Sequence, residues 1–270
     1  MSANEPKYAL VSDEPERQRL DSQHEQIKSI FNGKLLPDNL ILKDGDRVLD
    51  AGTGTGVWAL DIATLIPKTV EIDCIDITRR LFPASPPVNL HFSVGNILTL
   101  PASSAYTLVH QRFLTAAFSG SDWKTCLKNL YGALRPGGWL KMEELRALVL
   151  PDTLPNMERM LQFASAVEKG RDIDFAAVDH LEGWIKEAGF QEVQAEAQRW
   201  WLGPGEQGAD NRAIIMEGWR AVRRGMKSFG NDLGMSDEEW NGFIHDIEKE
   251  LAENESWLTV HSFTACKPYS

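Results

Sequence analysis

The chain has 270 residues and a formal net charge of −11, with 43% hydrophobic and 25% charged residues. This length allows one large domain or two small ones, and the composition is that of an ordinary globular protein. The acidic balance argues against a nucleic-acid partner, because binding to a phosphate backbone needs an excess of lysine and arginine.

Neither targeting nor membrane insertion is indicated by the sequence. Residues 1–13 are polar and lack the apolar core of a signal peptide, and no apolar run approaches the roughly 18 residues of a membrane-spanning helix. Cys74, Cys126 and Cys266 are far apart in apolar contexts, which indicates reduced core residues and neither a disulfide framework nor a metal site. We therefore expect a cytoplasmic protein, with the nucleus as the alternative, and no membrane partner.

A helical pattern follows the polar start of the chain. Leu20, His24, Ile27 and Phe31 recur at spacings of four, three and four residues, so a histidine lies on the apolar stripe of the helix. Gly33 ends the pattern. His24 is a candidate functional residue because its pKa is near neutrality, although a buried, hydrogen-bonded histidine explains the position equally well.

Residues 47–58 predict a strand, a tight glycine turn and a helix. Asp50 ends the strand, and Gly52, Gly54 and Gly56 follow with one residue between each pair. The turn lacks the Lys-Ser or Lys-Thr of a triphosphate loop, and its spacing differs from the G-x-G-x-x-G pyrophosphate fingerprint. A carboxylate before the turn would repel a pyrophosphate but suits a cationic ligand. A nicotinamide dinucleotide site and a plain glycine-rich turn are the alternatives.

The second strand, over residues 70–77, is almost entirely apolar or short and ends at Asp76. Such strands between helices indicate a parallel sheet that is covered on both faces. A carboxylate at this strand end can accept hydrogen bonds from both hydroxyls of a ribose. The alternative for Asp76 is a carboxylate in a surface turn.

The next elements follow the same alternation of strand and helix. Three prolines exclude a regular helix over residues 81–88. Strands are predicted over 90–94 and 105–110, and Ser121 is expected to cap the helix that follows. The segment Leu-Arg-Pro-Gly-Gly-Trp-Leu over 134–140 predicts a turn before a fifth strand over 142–150.

The C-terminal part is predicted to be mainly helical, with two further strands. Asp174 is expected to cap a helix that ends at Gly189, and Ser236 with Glu239 forms a capping box. The predicted elements are a helical insertion over 151–170, a strand over 190–202, two helices over 209–253 and a last strand over 257–265.

Three of these landmarks together resemble class I S-adenosylmethionine (SAM) methyltransferases: the loop that begins at Asp50, the acidic Asp76 and the Pro-Gly-Gly turn over 134–140. A closer resemblance comes from the segment Arg-Leu-Asp-x-Gln-His over 19–24 and from Gly-Thr-Gly-Thr-Gly-x-Trp over 52–58. These segments are similar to the fungal methyltransferases of secondary metabolism, the group that includes the regulator of global secondary metabolism. The resemblance runs over about residues 8–145.

This resemblance implies an α/β, Rossmann-like seven-stranded sheet whose seventh strand is antiparallel and lies between the fifth and the sixth. One methyltransferase domain would fill residues 1–270. Its parts would be an N-terminal helical lid over 1–40, a SAM-binding core over 41–150, substrate-side helical insertions over 151–175 and 204–253, and the rest of the core over 176–203 and 254–270.

The resemblance also implies SAM as the cofactor and S-adenosylhomocysteine as its product. Asn96 stands where the family usually carries an aspartate that accepts from the adenine amino group, and an asparagine oxygen can still accept that bond. The expected cofactor-binding residues are Asp50, Ala51, Gly52, Thr53, Gly54, Gly56, Trp58, Asp76, Ile77, Asn96, Ile97, Gln111 and Arg112.

Methyl transfer from a sulfonium needs mainly alignment, and a general base only where the nucleophile must lose a proton. The candidate catalytic residues are His24 and His110. Arg112 is expected to pair with the cofactor carboxylate, with an acidic substrate or with one of two glutamates, Glu143 and Glu144, which alternate across the fifth strand. The candidate substrate-pocket residues are Tyr8, Trp200, Trp201 and Met157.

The expected function is methylation of O, N or S on a small, largely apolar metabolite, without a metal. One alternative is a regulatory protein that keeps the cofactor fold and acts through protein partners. The other is an enzyme that keeps SAM as a bound charge for a cyclisation or rearrangement. The sequence fixes neither the methyl acceptor nor the choice between monomer and homodimer.

Overall fold

A computed structural model describes residues 13–146, 154–228, 230 and 234–269. The helices are α1 (Glu14–Ile30), α2 (Val57–Ile62), α3 (Gly120–Ala133), α4 (Pro155–Arg171), α5 (Val178–Glu187), α6 (Glu206–Ser228) and α7 (Asp237–Glu253). The strands are β1 (Arg47–Ala51), β2 (Glu71–Asp76), β3 (Leu90–Val94), β4 (Tyr106–Arg112), β5 (Leu134–Arg146), β6 (Gln191–Trp201) and β7 (Trp257–Cys266), and a short 3-10 helix covers Ile97–Thr99.

The seven strands form one sheet in the order β3-β2-β1-β4-β5-β7-β6. Strands β1 to β5 pair in parallel, whereas β7 is antiparallel to both β5 and β6. This arrangement confirms the predicted fold class. The order of the strands reverses between β1 and β4, so the loops that follow these two strands meet at the carboxyl edge of the sheet, where open α/β sheets bind ligands.

Both faces of the central strands are covered, which explains their nearly continuous apolar sequences. On one face, Val48 and Leu108 pack with Trp58 and Ile62 of α2. On the other face, Leu49 and other strand residues pack against α3 and α5. The strand ends are therefore held rigidly from both sides.

A third apolar cluster joins helices from the two ends of the chain. Ile27 of α1 belongs to the same cluster as Met160 of α4, Trp219 of α6 and Ile247 of α7, and Leu258 of β7 completes it. The N-terminal helix and the helical insertions thus form one layer beside β6 and β7. No helix in the described part of the chain has the length and apolar character needed to cross a membrane.

Two helix starts differ from the prediction. Ser119, and not Ser121, caps α3: its hydroxyl accepts from Asp122 N, and the Asp122 carboxylate accepts from Ser119 N. Asp174 does not cap α5 directly, because its carboxylate accepts from Ala176 N in a turn before the helix. In both cases the side-chain oxygen accepts from an N–H group two or three residues later in the chain.

The segment over 134–140 is also different, because it lies inside β5 and not before it. The pairing of β4 with β5 begins at Tyr106 and Leu134 and then shifts register before Leu108 and Trp139. Gly137 within this irregularity has a φ of 74°. The other predictions tested here are confirmed: no helix covers 81–88, Ser236 and Glu239 form their capping box, and the three cysteines are buried and free.

The turn after β1 predicts a steric effect at Gly56. Its φ is 77°, and a Cβ placed there would lie 2.5 Å from the Phe92 ring, which packs on Phe82. We expect Gly56→Ala to lower the free energy of unfolding by about 2–3 kcal/mol, the sum of a left-handed alanine and an overpacked ring. Chemical denaturation measures the change.

Gly33→Ala is the matched control, because Gly33 has a φ of 76° and nothing lies within 4 Å of its Cβ position. This variant should lose about 1 kcal/mol, the backbone part of the cost alone. Equal losses in the two variants would contradict the steric contribution of Phe92.

Candidate functional site

The glycine turn after β1 is tied to the end of β2. Gly52 N and Thr53 N both donate to Ile75 O, at 2.8 and 2.9 Å. Gly54 N donates to the Asp76 carboxylate at 3.0 Å. The turn therefore has one conformation that depends on β2 as well as on its own glycines.

Asp76 lies half-buried at the mouth of this turn. Its second oxygen accepts from Thr78 N at 3.1 Å, and burial raises the pKa of the carboxyl group above its usual range. Ile77, the next residue, is exposed. The acidic side chain thus stands at the strand end where the sequence predicted it, with its carboxylate directed at the glycine turn.

The sequence suggested that the Asp50 carboxylate faces a cationic ligand. In the structure it faces protein groups instead. Its side chain is buried, and its two oxygens accept from Thr53 Oγ1 and from His110 Nδ1, the latter at 2.7 Å. Both oxygens are therefore directed at protein donors. The carboxylate supports the turn from inside the protein.

Protein side chains contact His110 at one face of its ring and at both ring nitrogens. Its ring stacks on Trp58, with centroids 3.6 Å apart and planes 6° apart, and its Nε2 lies 3.1 Å from Glu143 Oε2. The side chain is 1% exposed. Each ring nitrogen thus faces a carboxylate oxygen of the protein, and neither is directed at a ligand.

Glu143 is the second buried carboxylate of this group. Lys141 Nζ lies 3.0 Å from its Oε1 and also donates to Ser262 Oγ at 2.6 Å. Burial opposes ionisation of Glu143, but the charges of Lys141, His110 and Arg112 outweigh it and lower the pKa to about 2. The buried charges of this group thus compensate one another.

His24 reaches the same region from α1. Arg112 Nη1 donates to His24 Nδ1 at 3.0 Å, and His24 Nε2 lies 2.9 Å from Asp61 Oδ2. Because a guanidinium can only donate, Nδ1 is the acceptor and Nε2 carries the hydrogen. Burial, and then the charge of Arg112, lower the pKa of His24, which keeps the ring neutral.

Arg112 has unused hydrogen-bonding capacity. Its bond to His24 is the one hydrogen bond that its side chain makes with the described residues, and the side chain is half-buried at the carboxyl end of β4. Its guanidinium therefore retains N–H groups for another acceptor. A carboxylate ligand would suit this position.

The donor atoms that come close enough to share a cation, within the part of the chain described, belong to His24, Glu25 and Asp61. Lys28 Nζ already lies 2.6 Å from Asp61 Oδ2, and Arg112 donates to His24. Two cations thus compensate these groups without a metal ion. We therefore assign no metal ion to this cluster.

Glu144 was not predicted from the sequence to have a functional role. In the structure it fixes the conformation of the loop after β4. It lies on the opposite face of β5 from Glu143 and accepts from Leu114 N and Thr115 N, at 2.9 and 3.2 Å. Thr115 Oγ1 and Gln111 Nε2 also donate to it. Burial raises the pKa of Glu144 to about 7, against the effect of these four donors.

Two apolar side chains lie beside the glycine turn. A Cβ at Gly52 would be 3.3 Å from Leu114 Cδ2 and 3.6 Å from Ile97 Cδ1. Asn96 Oδ1 accepts from Leu98 N at 2.9 Å and caps the 3-10 helix, so it is committed to the backbone here. Ile97 was predicted for this place, whereas Leu114 carries no local sequence signal.

A predominantly apolar cavity of about 120 Å³ lies between α1, the loop after β4 and the helical insertions. Its lining includes Arg19 and Gln23 of α1, Phe113 of the loop, Met160 of α4, Trp219 of α6 and Leu258 of β7. The loop and α1 each face both this cavity and the glycine turn. The cavity and the turn therefore share two walls.

The structure places neither Trp200 nor Trp201 in the lining of this cavity. Trp200 is fully buried in the third apolar cluster, and Trp201 Nε1 donates to Pro204 O at 3.1 Å. Tyr8 and the side chain of Met157 lie outside the described residues. Trp219 of α6 lines the cavity instead, and a tryptophan of the core satisfies the same apolar pattern as one of the lining.

Comparison with known proteins gives a consistent family. A family model described as a methyltransferase domain matches residues 23–195. Methyltransferase grgD of Penicillium sp is 37% identical over 54% of this chain, and the match spans only 55% of that relative. N-methyltransferase tcpN of Claviceps purpurea is 30% identical over 88% of this chain and 89% of its own length.

A solved structure supports the same fold. The cyclopropane synthase MmaA2 of Mycobacterium tuberculosis has a TM-score of 0.60 at 14% identity, and the alignment covers 91% of this chain and 84% of that one. At this identity the likeness concerns the fold alone. The topology described above agrees with it.

The raised pKa of Glu144 predicts a pH dependence of stability. Between pH 4.5, where the unfolded group titrates, and about 7, the folded state binds the proton more tightly, so stability falls as pH rises. The contribution is up to about 3 kcal/mol. Denaturation at pH 5 and pH 7.5 should show a smaller fall for Glu144→Gln than for the unmodified chain.

Glu187→Gln, at an exposed helix position, serves as the control and should keep the original pH dependence. The comparison uses the difference between two pH values, so a constant loss of stability in Glu144→Gln does not affect it. An unchanged fall in Glu144→Gln would contradict the assignment.

Proposed function

The chain belongs to the methyltransferase-domain family, and on this premise we propose that it transfers a methyl group from SAM to O, N or S of a small, largely apolar metabolite. The observation that carries the proposal is the glycine turn held against Asp76, with an apolar cavity that shares two of its walls. The turn supplies a place for the cofactor, and the cavity supplies a place for the acceptor.

The residues of the turn fit a SAM molecule. Gly52 has no Cβ, and the apolar side chains of Ile97 and Leu114 lie beside it, where their surfaces suit the flat adenine. Asp76 has the geometry to accept from the ribose hydroxyls, and the spare N–H groups of Arg112 suit the carboxylate of the methionine part. When bound, SAM supplies an activated methyl group on a sulfonium.

In this proposal the other residues that were predicted to bind the cofactor support the turn and the side chains around it. Asp50 and Thr53 hold the turn, and Trp58 fixes the plane of His110. Gln111 donates to Glu144 and so helps to place the loop that contains Leu114. Ala51, Gly54 and Gly56 provide the backbone of the turn, Ile77 is exposed beside Asp76, and Asn96 caps the 3-10 helix.

The cavity favours a neutral acceptor. Its one charged lining residue, among those described, is Arg19, whose Nε and Nη2 both donate to Glu16 at 2.7 Å. This pair is buried, so its charges compensate one another. An acceptor with its own net charge would lose its hydration here without finding an unpaired partner.

We propose positioning roles for the two candidate histidines. His24 holds Arg112, and His110 holds Asp50 and Glu143, so both ring nitrogens of each histidine face protein groups. The chain therefore contributes alignment and exclusion of water. Bound SAM would supply the methyl group to the acceptor heteroatom, and the acceptor would give up its proton to solvent because neither histidine is placed to take it.

The names of the relatives favour methyl transfer over the other two hypotheses. Both are called methyltransferases, one of them an N-methyltransferase. A protein that acts only through partners, or a cyclase, would share the fold but not this naming. The acceptor atom of this chain is left to experiment.

The cofactor site predicts the effect of two substitutions. Asp76→Ala removes the carboxylate at the turn, and Gly54→Val places a branched side chain at a φ of 56°, against Leu20. We expect both to weaken binding of SAM and S-adenosylhomocysteine by at least about 100-fold, the equivalent of two lost charge-assisted hydrogen bonds. Calorimetric titration of both compounds measures the loss.

Glu71→Gln is the control, because Glu71 lies at the start of the same strand and pairs with His91 at the surface. Its affinities should equal those of the unmodified chain. Unchanged binding in Asp76→Ala and Gly54→Val would refute the site. Transfer of label from methyl-labelled SAM to an extract of the source organism then identifies the acceptor.

His24 has a separate prediction. Removal of its ring in His24→Ala leaves Arg112 without its partner, so the dissociation constant of S-adenosylhomocysteine should rise about tenfold. The shape of the pH profile of label transfer should stay the same, because His24 holds Arg112 and takes no proton. Calorimetry and label transfer from pH 6 to 9 measure the two effects.

His91→Ala, at a surface histidine, should change neither quantity. Loss of the low-pH limb of the profile in His24→Ala would assign proton transfer to His24. Unchanged binding and turnover at every pH would remove His24 from the site altogether.

A further inference from the structure

Gln23 of α1 carries an amide without a hydrogen-bond partner among the residues that the structure describes. The side chain is only 5% exposed, and it lines the cavity described above. Its carboxamide makes no hydrogen bond with any of the described residues. The amide atoms of Gln23 are therefore available to a molecule in the cavity, although most of the side chain is buried.

The other polar side chains of the cavity lining are occupied. Arg19 donates twice to Glu16, and Thr115 Oγ1 donates to Glu144. Trp219 adds an indole N–H, which can only donate, and the rest of the lining is apolar or glycine. Among the described residues of the lining, Gln23 is therefore the side chain that can both donate to and accept from a ligand.

The position of Gln23 relates it to the glycine turn. On the same helix, Leu20 Cδ1 lies 3.4 Å from the Cβ position of Gly54, and Asp21 accepts from Thr55 Oγ1 at 2.8 Å. His24, the next residue after Gln23, bonds to Arg112. A molecule held by Gln23 would thus lie against the helix that covers the cofactor side.

We propose that Gln23 is a specificity-determining residue, which donates a hydrogen bond from Nε2 to a carbonyl oxygen of a neutral, largely apolar acceptor and so orients it toward the methyl donor. This inference rests on the proposed function. A carbonyl is the expected partner because an orphaned buried N–H is tolerated less often than an under-satisfied C=O. A carboxylate is disfavoured, since the lining has no unpaired cation to meet it.

The experiment compares two probes of nearly the same shape, acetophenone and α-methylstyrene, in which C=O is replaced by C=CH₂. A single aromatic ring suits a cavity of about this volume. The full-length chain should bind acetophenone about five- to tenfold more tightly than α-methylstyrene, as a hydrogen bond to a buried amide predicts. Calorimetry or ligand-observed NMR gives both dissociation constants.

Gln23→Met keeps the length of the side chain and removes the amide. In this variant the preference for acetophenone should disappear, because affinity for acetophenone falls while affinity for α-methylstyrene holds or rises. Met216→Leu, an apolar change in the same lining, should leave the preference intact. Gln23→Leu provides a second test if Gln23→Met folds poorly.

An equal preference in Gln23→Met and the unmodified chain would overturn the inference, and so would the absence of binding of either probe to the unmodified chain. The result is separable from the proposed function, because the probes need no cofactor. Intact S-adenosylhomocysteine binding with no probe preference rejects the role of Gln23 alone. Absent S-adenosylhomocysteine binding rejects the proposed function.

Discussion

The pairing of two buried carboxylates with one imidazole underlies the candidate site. Asp50 of β1 and Glu143 of β5 both contact His110 of β4, and the ammonium group of Lys141 lies 3.0 Å from Glu143. A buried carboxylate without a partner costs several kcal/mol, so these side chains require one another. They join three adjacent strands where the strand order reverses, and they hold the residue from which the glycine turn starts. The position of the turn therefore depends on charges that the ligand itself would never touch.

Helix α1 connects this site to the C-terminal half of the chain. One side of the helix contacts the glycine turn through Asp21, and His24 on the same helix contacts both Asp61 and Arg112. Another side faces the cavity through Gln23, and Ile27 packs into the cluster of α4, α6 and α7. A single helix thus forms a wall of both sites. Any movement of α1 would change the cofactor side and the acceptor side together.

The loop after β4 forms the second shared wall, and Glu144 determines its shape. Two backbone N–H groups of the loop, at Leu114 and Thr115, donate to this one carboxylate. The Leu114 side chain then faces Gly52, while Thr115 and its neighbours face the cavity. The free energy for this arrangement comes from satisfying backbone donors in a buried place, which explains why an acidic residue lies inside the sheet.

The sequence by itself determined the fold and the position of the glycine turn beside Asp76. The glycines of the turn and the carboxylate of Asp76 could be recognised because local backbone geometry and strand ends impose local residue requirements. The tertiary structure alone decided the acceptor side. The cavity is built from α1, the loop after β4, α6 and α7, whose residues meet only after folding, and a tryptophan in the core has the same sequence pattern as one in the lining, as Trp200 and Trp219 show. The hydrogen-bond partners of His24 and His110 could not be predicted from the sequence either, because a hydrogen bond between distant segments leaves no periodicity in the sequence.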